Sequence, residues 1–205
     1  MGAVQQALLM VGGAGAVSTK HWNPADADAA VVLADGNKRM HRGSGSGIVG
    51  VRGHISHTTG KWYFELATTS DFVSGEASNV YALLANGSVG LSGQPIFSIS
   101  TGIYWAIRGN TQYGTQAGFA GTTAGSGWAA ANGVNWVGLA CDLDAKTVEV
   151  IDNGVSRGTF SYTGTPGAMY PYGAAGTLSG AFLVLRVLAS EFSGSIPSGY
   201  SAWTT

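Results

Sequence analysis

Residues Trp136 to Phe160, WVGLACDLDAKTVEVIDNGVSRGTF, can fold in very few ways. Val137, Leu139, Cys141 and Leu143 recur at every second position, with Trp136, Gly138, Ala140 and Asp142 between them. Successive side chains of a strand point to opposite faces, so this alternation predicts a half-buried strand. Asp144-Ala145-Lys146-Thr147 then predicts a turn, and a second strand puts Val148 and Val150 inward. Asn153-Gly154 supplies the positive φ of a tight hairpin before VSRGTF returns.

The same period recurs along the chain. GKWYFEL alternates Trp62, Phe64 and Leu66 with Lys61, Tyr63 and Glu65, and GIYWAIRGN alternates Ile103, Trp105 and Ile107 inward with Tyr104, Ala106 and Arg108 outward. Asp35-Gly36 predicts a tight turn inside AVVLADGNKRM, and AFLVLRVLAS, apolar on both faces except for Arg186, predicts a central strand. Trp62, Phe64, Trp105, Val137 and Leu139 are expected in the core. A helical period is nearly absent; residues 3–11 allow one short helix before glycines stop it. Short strands with a turn every ten residues or so predict an all-β chain, a two-sheet antiparallel β-sandwich with a short N-terminal arm. The arm is residues 1–19 and the domain residues 20–205. Residues 75–133, the part richest in glycine and alanine, are expected to carry long loops. The tail FSGSIPSGYSAWTT is irregular, but Tyr200 and Trp203 predict that it packs against something.

Composition narrows the function classes. Charged residues are only 10% of the 205, glycines number 33 and the net charge is −1. Low charge with abundant aromatics argues for order. A near-neutral chain offers no field to gather nucleic acid or an anionic membrane. Cys141 is the only cysteine, so no intrachain disulfide forms. The apolar opening MGAVQQALLMVGGAGAV has no preceding basic residue, which argues against a secretory signal, and it is too short and interrupted for a membrane span.

Four carboxylates, Asp142, Asp144, Glu149 and Asp152, invite a catalytic reading. Glycoside hydrolysis needs two carboxyls across one cleft, about 5–5.5 Å apart for retention or about 6.5–9.5 Å for inversion. Here three of the acids fall at turns, where Asp bonds local N–H groups, and Glu149 points outward from a strand, so no catalytic residue is assigned. GSGSGIVG contains Gly45-x-Gly47-x-x-Gly50, but no helical period follows to receive a pyrophosphate. His54 and His57, three apart, fall on opposite faces of an extended chain with no Cys or carboxylate nearby, so no metal or cofactor is expected and a solvated loop is the reading. The basic run Asn37 to Arg42 reads as a solvated turn. The better signal is aromatic: Tyr104 and Arg108 outward on a strand, with Tyr113 and Trp128 in Gly/Thr/Asn/Gln-rich loops. Rigid rings among adaptable amides suit a ligand- or partner-binding surface.

Val51-Arg52-Gly53, GKWYFEL, the Trp136-to-Val155 segment and YPYGAAG (Tyr170 to Gly176) stand in the order of motifs in SPRY domains. Over roughly residues 22–192 the chain resembles that family, whose concanavalin A-like sandwich (a jelly roll) serves as a binding module through variable loops at one end. HWNPAD (His21 to Asp26) and IPSGYSA (Ile196 to Ala202) also resemble SPRY-like proteins of tailed bacteriophages. VEVI departs from the aromatic many members carry there, and the 1–19 arm lies outside the family pattern. The resemblance implies a non-enzymatic virion protein: a tail-fibre, baseplate or capsid-decoration component for host attachment or assembly. It would be made in the host cytoplasm, joined to other virion proteins through its arm and homo-oligomeric. Its loops would meet a host glycan or protein, without nucleic acid or membrane insertion. Two alternatives remain at this point: a glycan-binding or glycan-hydrolysing domain of the same fold, and a cellular SPRY adaptor for a peptide.

Overall fold

The computed structural model describes residues 20–44, 47–69, 79–88, 90–93, 102–108, 116–118, 122–123, 134–162, 167–176 and 182–204, with 79–83, 93, 102–108, 116–118 and 122–123 described by their backbone. The predicted helix at 3–11 and the arm at 1–19 lie outside these residues. The strands run in chain order from β1 (Trp22–Ala27), β2 (Val31–Ala34), β3 (Arg39–Arg42), β4 (Ile48–Gly53) and β5 (Lys61–Thr68) to β6 (Asn79–Asn86), β7 (Ser92–Gly93) and β8 (Gly102–Arg108). They continue with β9 (Gln116–Gly118), β10 (Thr122–Thr123), β11 (Trp136–Asp142), β12 (Thr147–Asp152), β13 (Val155–Ser161), β14 (Met169–Ala175), β15 (Leu183–Arg186) and β16 (Ser201–Ala202). One 3-10 turn, Ala189–Glu191, is the only helical element among the described residues. The stretch 75–133, expected to carry long loops around the GIYWAIRGN strand, holds β6 to β10, and that strand is β8; alanine-rich NVYALLAN gives little amphipathic contrast, and its pairing with β8 and β14 makes it a strand.

Two antiparallel sheets stack face to face, as predicted. One has the order β1-β4-β14-β6-β8-β9-β10, with β7 beside β4; the other has β13-β12-β11-β5-β15-β3-β2, with β16 beside β5. Their inner faces enclose Trp22, Met40, Val51, Phe64, Leu66, Leu84, Val137, Leu139, Cys141, Val148, Val150, Leu183, Leu185 and Trp203. The predicted alternation holds at Phe64, Val137 and Leu139, all buried. Trp62 packs against the same core but is only half-buried. Trp105 falls on β8, among the residues described by backbone alone.

Gly173 shows how closely the layers approach: a Cβ there would lie 2.6 Å from the Trp22 ring and 2.9 Å from Leu183. The hairpins form where the turn chemistry predicts them. Asp35, Gly36 and Asn37 take φ of 50°, 62° and 68°, and Asn153 and Gly154 take 47° and 86°. Fingerprint-like Gly50 lies inside β4 rather than at the mouth of a helix.

The outer face of the second sheet departs from a simple half-wet strand pattern. Gly138, Ala140 and Asp142 of β11 are buried on the side expected to face solvent. The tail covers part of this face. After β15 the chain leaves the sheet and crosses the outer side of β5, where Phe192 packs edge-on against Tyr63, with centroids 4.9 Å apart. Gly194 lies against Trp136. The chain then reverses and comes back beside β5. As a result β15 and β16 share one edge of β5: β15 pairs antiparallel with Glu65 to Thr68, and β16 pairs parallel with Trp62 and Tyr63. Trp203 follows into the core, its Nε1 donating to Ile55 O at 2.9 Å.

Candidate interaction surface

The carboxylates of the meander are each held by a named partner. Asp142 Oδ1 accepts from Ala145 N at 2.9 Å and Oδ2 pairs with Lys61 Nζ at 2.9 Å. Burial pushes the Asp142 carboxyl up, but the Ala145 amide and Lys61 outweigh it and hold the group below the usual carboxylate range. Asp144 Oδ2 accepts from Gly60 N at 3.0 Å, and Glu149 Oε1 accepts from Ser156 Oγ at 2.6 Å. Asp152 takes a two-pronged bond from Arg157, at 2.8 and 3.2 Å. Register separates the two ends of this meander: Asp152 lies opposite Val137, five residues along β11 from Asp142. At about 3.4 Å per residue that is roughly 17 Å, beyond either hydrolase spacing.

Glu65 is buried and heavily bonded. Its carboxylate accepts from Tyr63 Oη at 3.0 Å, Arg186 Nη1 at 3.1 Å, and the backbone N–H groups of Ser193 and Gly194, both at 2.8 Å. It lies on the outer face of β5, and the tail supplies two of its four donors. Burial beside this anion pushes the Tyr63 hydroxyl far up, so it stays a donor. Glu191 performs a similar task just before the tail begins. It accepts from buried His21 Nε2 at 2.9 Å and from Val187 N at 3.2 Å, and it pairs with Lys38. Burial raises the Glu191 carboxyl, yet His21 and Lys38 pull it down to about 2.

The basic run is not a solvated turn. Lys38 holds Glu191, Arg39 Nε pairs with Asp35 at 2.7 Å, and Arg42 donates to Gly47 O at 2.6 Å. Its cations brace the β2–β3 hairpin and the neighbouring loops. His57 is likewise not a solvated loop residue. Its ring stacks on Trp62 at 3.6 Å and meets Trp203 edge-on at 4.8 Å, and its backbone exchanges two hydrogen bonds with Met169. Burial lowers its pKa. His54 is exposed. Among the described residues, no three His, Cys, Asp or Glu side chains come together as a metal site would require.

Of the four residues proposed for recognition, Tyr104 and Arg108 fall on β8, opposite Leu83 and Asn79 of β6. Tyr113 and Trp128 lie outside the described residues. Strand order places β8 on a definite side of the molecule. β14 of the first sheet packs against β3 and β15, and β1 against β2. That leaves β8 to β10 on the same side as β11 to β13. Two of the large apolar side chains most open to water lie there: Val134, just before β11, is 52% exposed, and Val155, at the start of β13, is 53% exposed. Val155 follows the Asn153-Gly154 turn, the one sequence signal that could have marked it; Val134 has none.

No family model matches the chain, and no curated protein matches it in sequence. Solved structures do match in shape. The TRIM65 PSpry domain aligns with a TM-score of 0.57 at 15% identity, over 81% of this chain and 90% of that one. The SPRY domain of human HERC1 aligns with a TM-score of 0.58 at 14% identity, over 80% of this chain and 96% of that one. At such identities the likeness is one of architecture: the chain folds as a SPRY-type β-sandwich.

Proposed function

We propose that this chain is a non-catalytic binding module that grips a protein partner on the side of the sandwich carrying β8 and the β11–β13 meander. The observation behind this reading is that exposed Val134 and Val155 lie on the side of the sandwich to which strand order brings β8, the strand that bears Tyr104 and Arg108. Exposed apolar side chains together with arginine and aromatic residues are the usual make-up of a protein-recognition patch. The SPRY-type architecture supports it, and so does the engagement of Asp142, Asp144, Glu149 and Asp152 in turns and ion pairs. The finer reading is a bacteriophage virion component, attached through residues 1–19 and meeting the host through this patch, with Tyr113 and Trp128 contributing. It rests on the HWNPAD and IPSGYSA resemblance. A cellular adaptor with the same patch fits the architecture equally.

Immobilised full chain, probed with host-cell envelope fractions and with particle proteins, tests both levels. Tyr104→Ala and Arg108→Ala are expected to weaken capture at least tenfold while the melting temperature stays within about 2 °C. Capture by glycan alone would replace the protein partner with a sugar. Undiminished capture by both variants would remove this patch from the interface. Equal virion incorporation with and without residues 1–19 would end the tether reading.

A further inference from the structure

The route of the tail points to a second role for the slot that β16 fills. β5 presents one edge to two strands, and only its upper part, Glu65 to Thr68, is taken by β15. The lower part, Trp62 and Tyr63, is taken by a strand that arrives from outside the sheet after a reversal. The slot is a receptor for a short extended peptide. It offers a β-edge, a carbonyl at Tyr63 that accepts from Trp203 N at 3.0 Å, and a pocket between His57, Trp62 and Phe64 for an indole. The indole N–H is matched by Ile55 O at 2.9 Å. Here main-chain bonding gives affinity and one deep anchor gives specificity, as in strand-addition recognition.

We propose that this slot accepts the Tyr200–Thr204 segment of a second copy of the chain, so that two molecules exchange their β16 strands and Trp203 anchors. The inference is independent of the partner proposed above. The occupant is fixed by complementarity already on the page: the segment that fits the slot is the molecule's own, and a second copy carries the same one. The connection supports exchange. The tail is pinned at Gly194, whose N–H binds Glu65, and again at Ser201 beside Trp62. Between these points Ser195, Ser198 and Gly199 are exposed, and no hydrogen bond ties residues 195–199 to another described part of the sandwich. The reversal is held by one local bond, Tyr200 N to Pro197 O at 3.1 Å, with Gly199 at φ 84°. Ile196 and Pro197 are half-buried within it, and proline favours the extended alternative. An exchanged strand would make the same contacts as the returning one, so the two forms differ mainly in linker shape and concentration.

Length decides between them. Glu65 and Trp62 lie three residues apart on β5, about 10 Å. Deleting Ile196–Gly199 leaves Ser195 and Tyr200 between the pinned residues, a reach of at most about 10 Å with nothing spare for a reversal. The full chain carrying this deletion is expected to sediment as a dimer, its dimerisation constant at least tenfold tighter than that of the parent. It should also form a 1:1 complex with a full-length-linker chain carrying Trp203→Ala, whose indole pocket is empty, and the complex should melt above either component. A deletion chain that also carries Trp203→Ala should give neither dimer nor complex. The proposal is overturned if the deletion chain is folded and monomeric. It is equally overturned if that chain is unfolded and mixing with the Trp203→Ala acceptor fails to recover a folded complex.

Discussion

Gly138 shows how much one missing methyl group can decide. A Cβ there would lie 2.2 Å from Tyr63 Oη and 2.7 Å from its ring, so the phenol that hydrogen-bonds Glu65 occupies the space a side chain would need. Gly138→Ala is expected to destabilise by ~1–3 kcal/mol through overpacking, measured by denaturant unfolding; a change under half a kcal/mol would mean the ring moves freely. The alternation through Val137 and Leu139 was legible in sequence, but the ring above Gly138 was not, because it comes from another strand. Acid offers a second test. The Glu191 carboxyl falls from its ordinary 4.5 to about 2 on folding, so its contribution is complete above 4.5 and is lost as pH falls toward 2. His57, lowered by burial, acts in the same direction: protonation below its ordinary 6.5 opposes folding. Melting temperatures of the parent and Glu191→Gln should therefore converge as pH approaches 2, and a constant gap from pH 6 to pH 2 would contradict the pairing with His21 and Lys38.

Among the elements, the β11–β13 meander was readable nearly residue by residue, since its pairing is local and Asn153-Gly154 dictates the turn. The tail was not. Its placement depends on Glu65, Tyr63 and Trp62, more than a hundred residues earlier in the chain, and no periodicity in FSGSIPSGYSAWTT encodes that. Tyr200 and Trp203 signalled packing without saying where. The two tryptophans differ in depth. Trp203 is fully buried and Trp62 only half so. Trp203→Ala should cost ~3–5 kcal/mol and Trp62→Ala roughly half as much, by denaturant unfolding; equal losses would place Trp62 in the core after all. Glu65→Ala, which leaves Arg186 with Ser193 Oγ but no carboxylate and frees two tail amides, should also cost ~3–5 kcal/mol. Adding Arg186→Ala should cost less than the sum of the two single changes, because the uncompensated cation is then gone.

For the whole molecule, alternation and turn signals gave the architecture class, whereas the neighbours of each strand did not follow from them. β5 beside β11 and β15 is a long-range arrangement that no local signal in the sequence encodes. The proposed recognition residues divide by the same logic: Tyr104 and Arg108 sit on a strand whose period is visible, and Tyr113 and Trp128 sit where no period exists. The position of β5 also bears on how the chain is made. Among the described residues, every strand that hydrogen-bonds β5 is translated after it, beginning with β11 at Trp136 and ending with β16 at Ala202. At about 5–20 residues per second, this apolar ribbon leaves the ribosome seconds before its first neighbour exists. A nascent chain arrested short of Trp203 would keep an open hydrophobic notch, which marks it for chaperone capture until the final indole arrives.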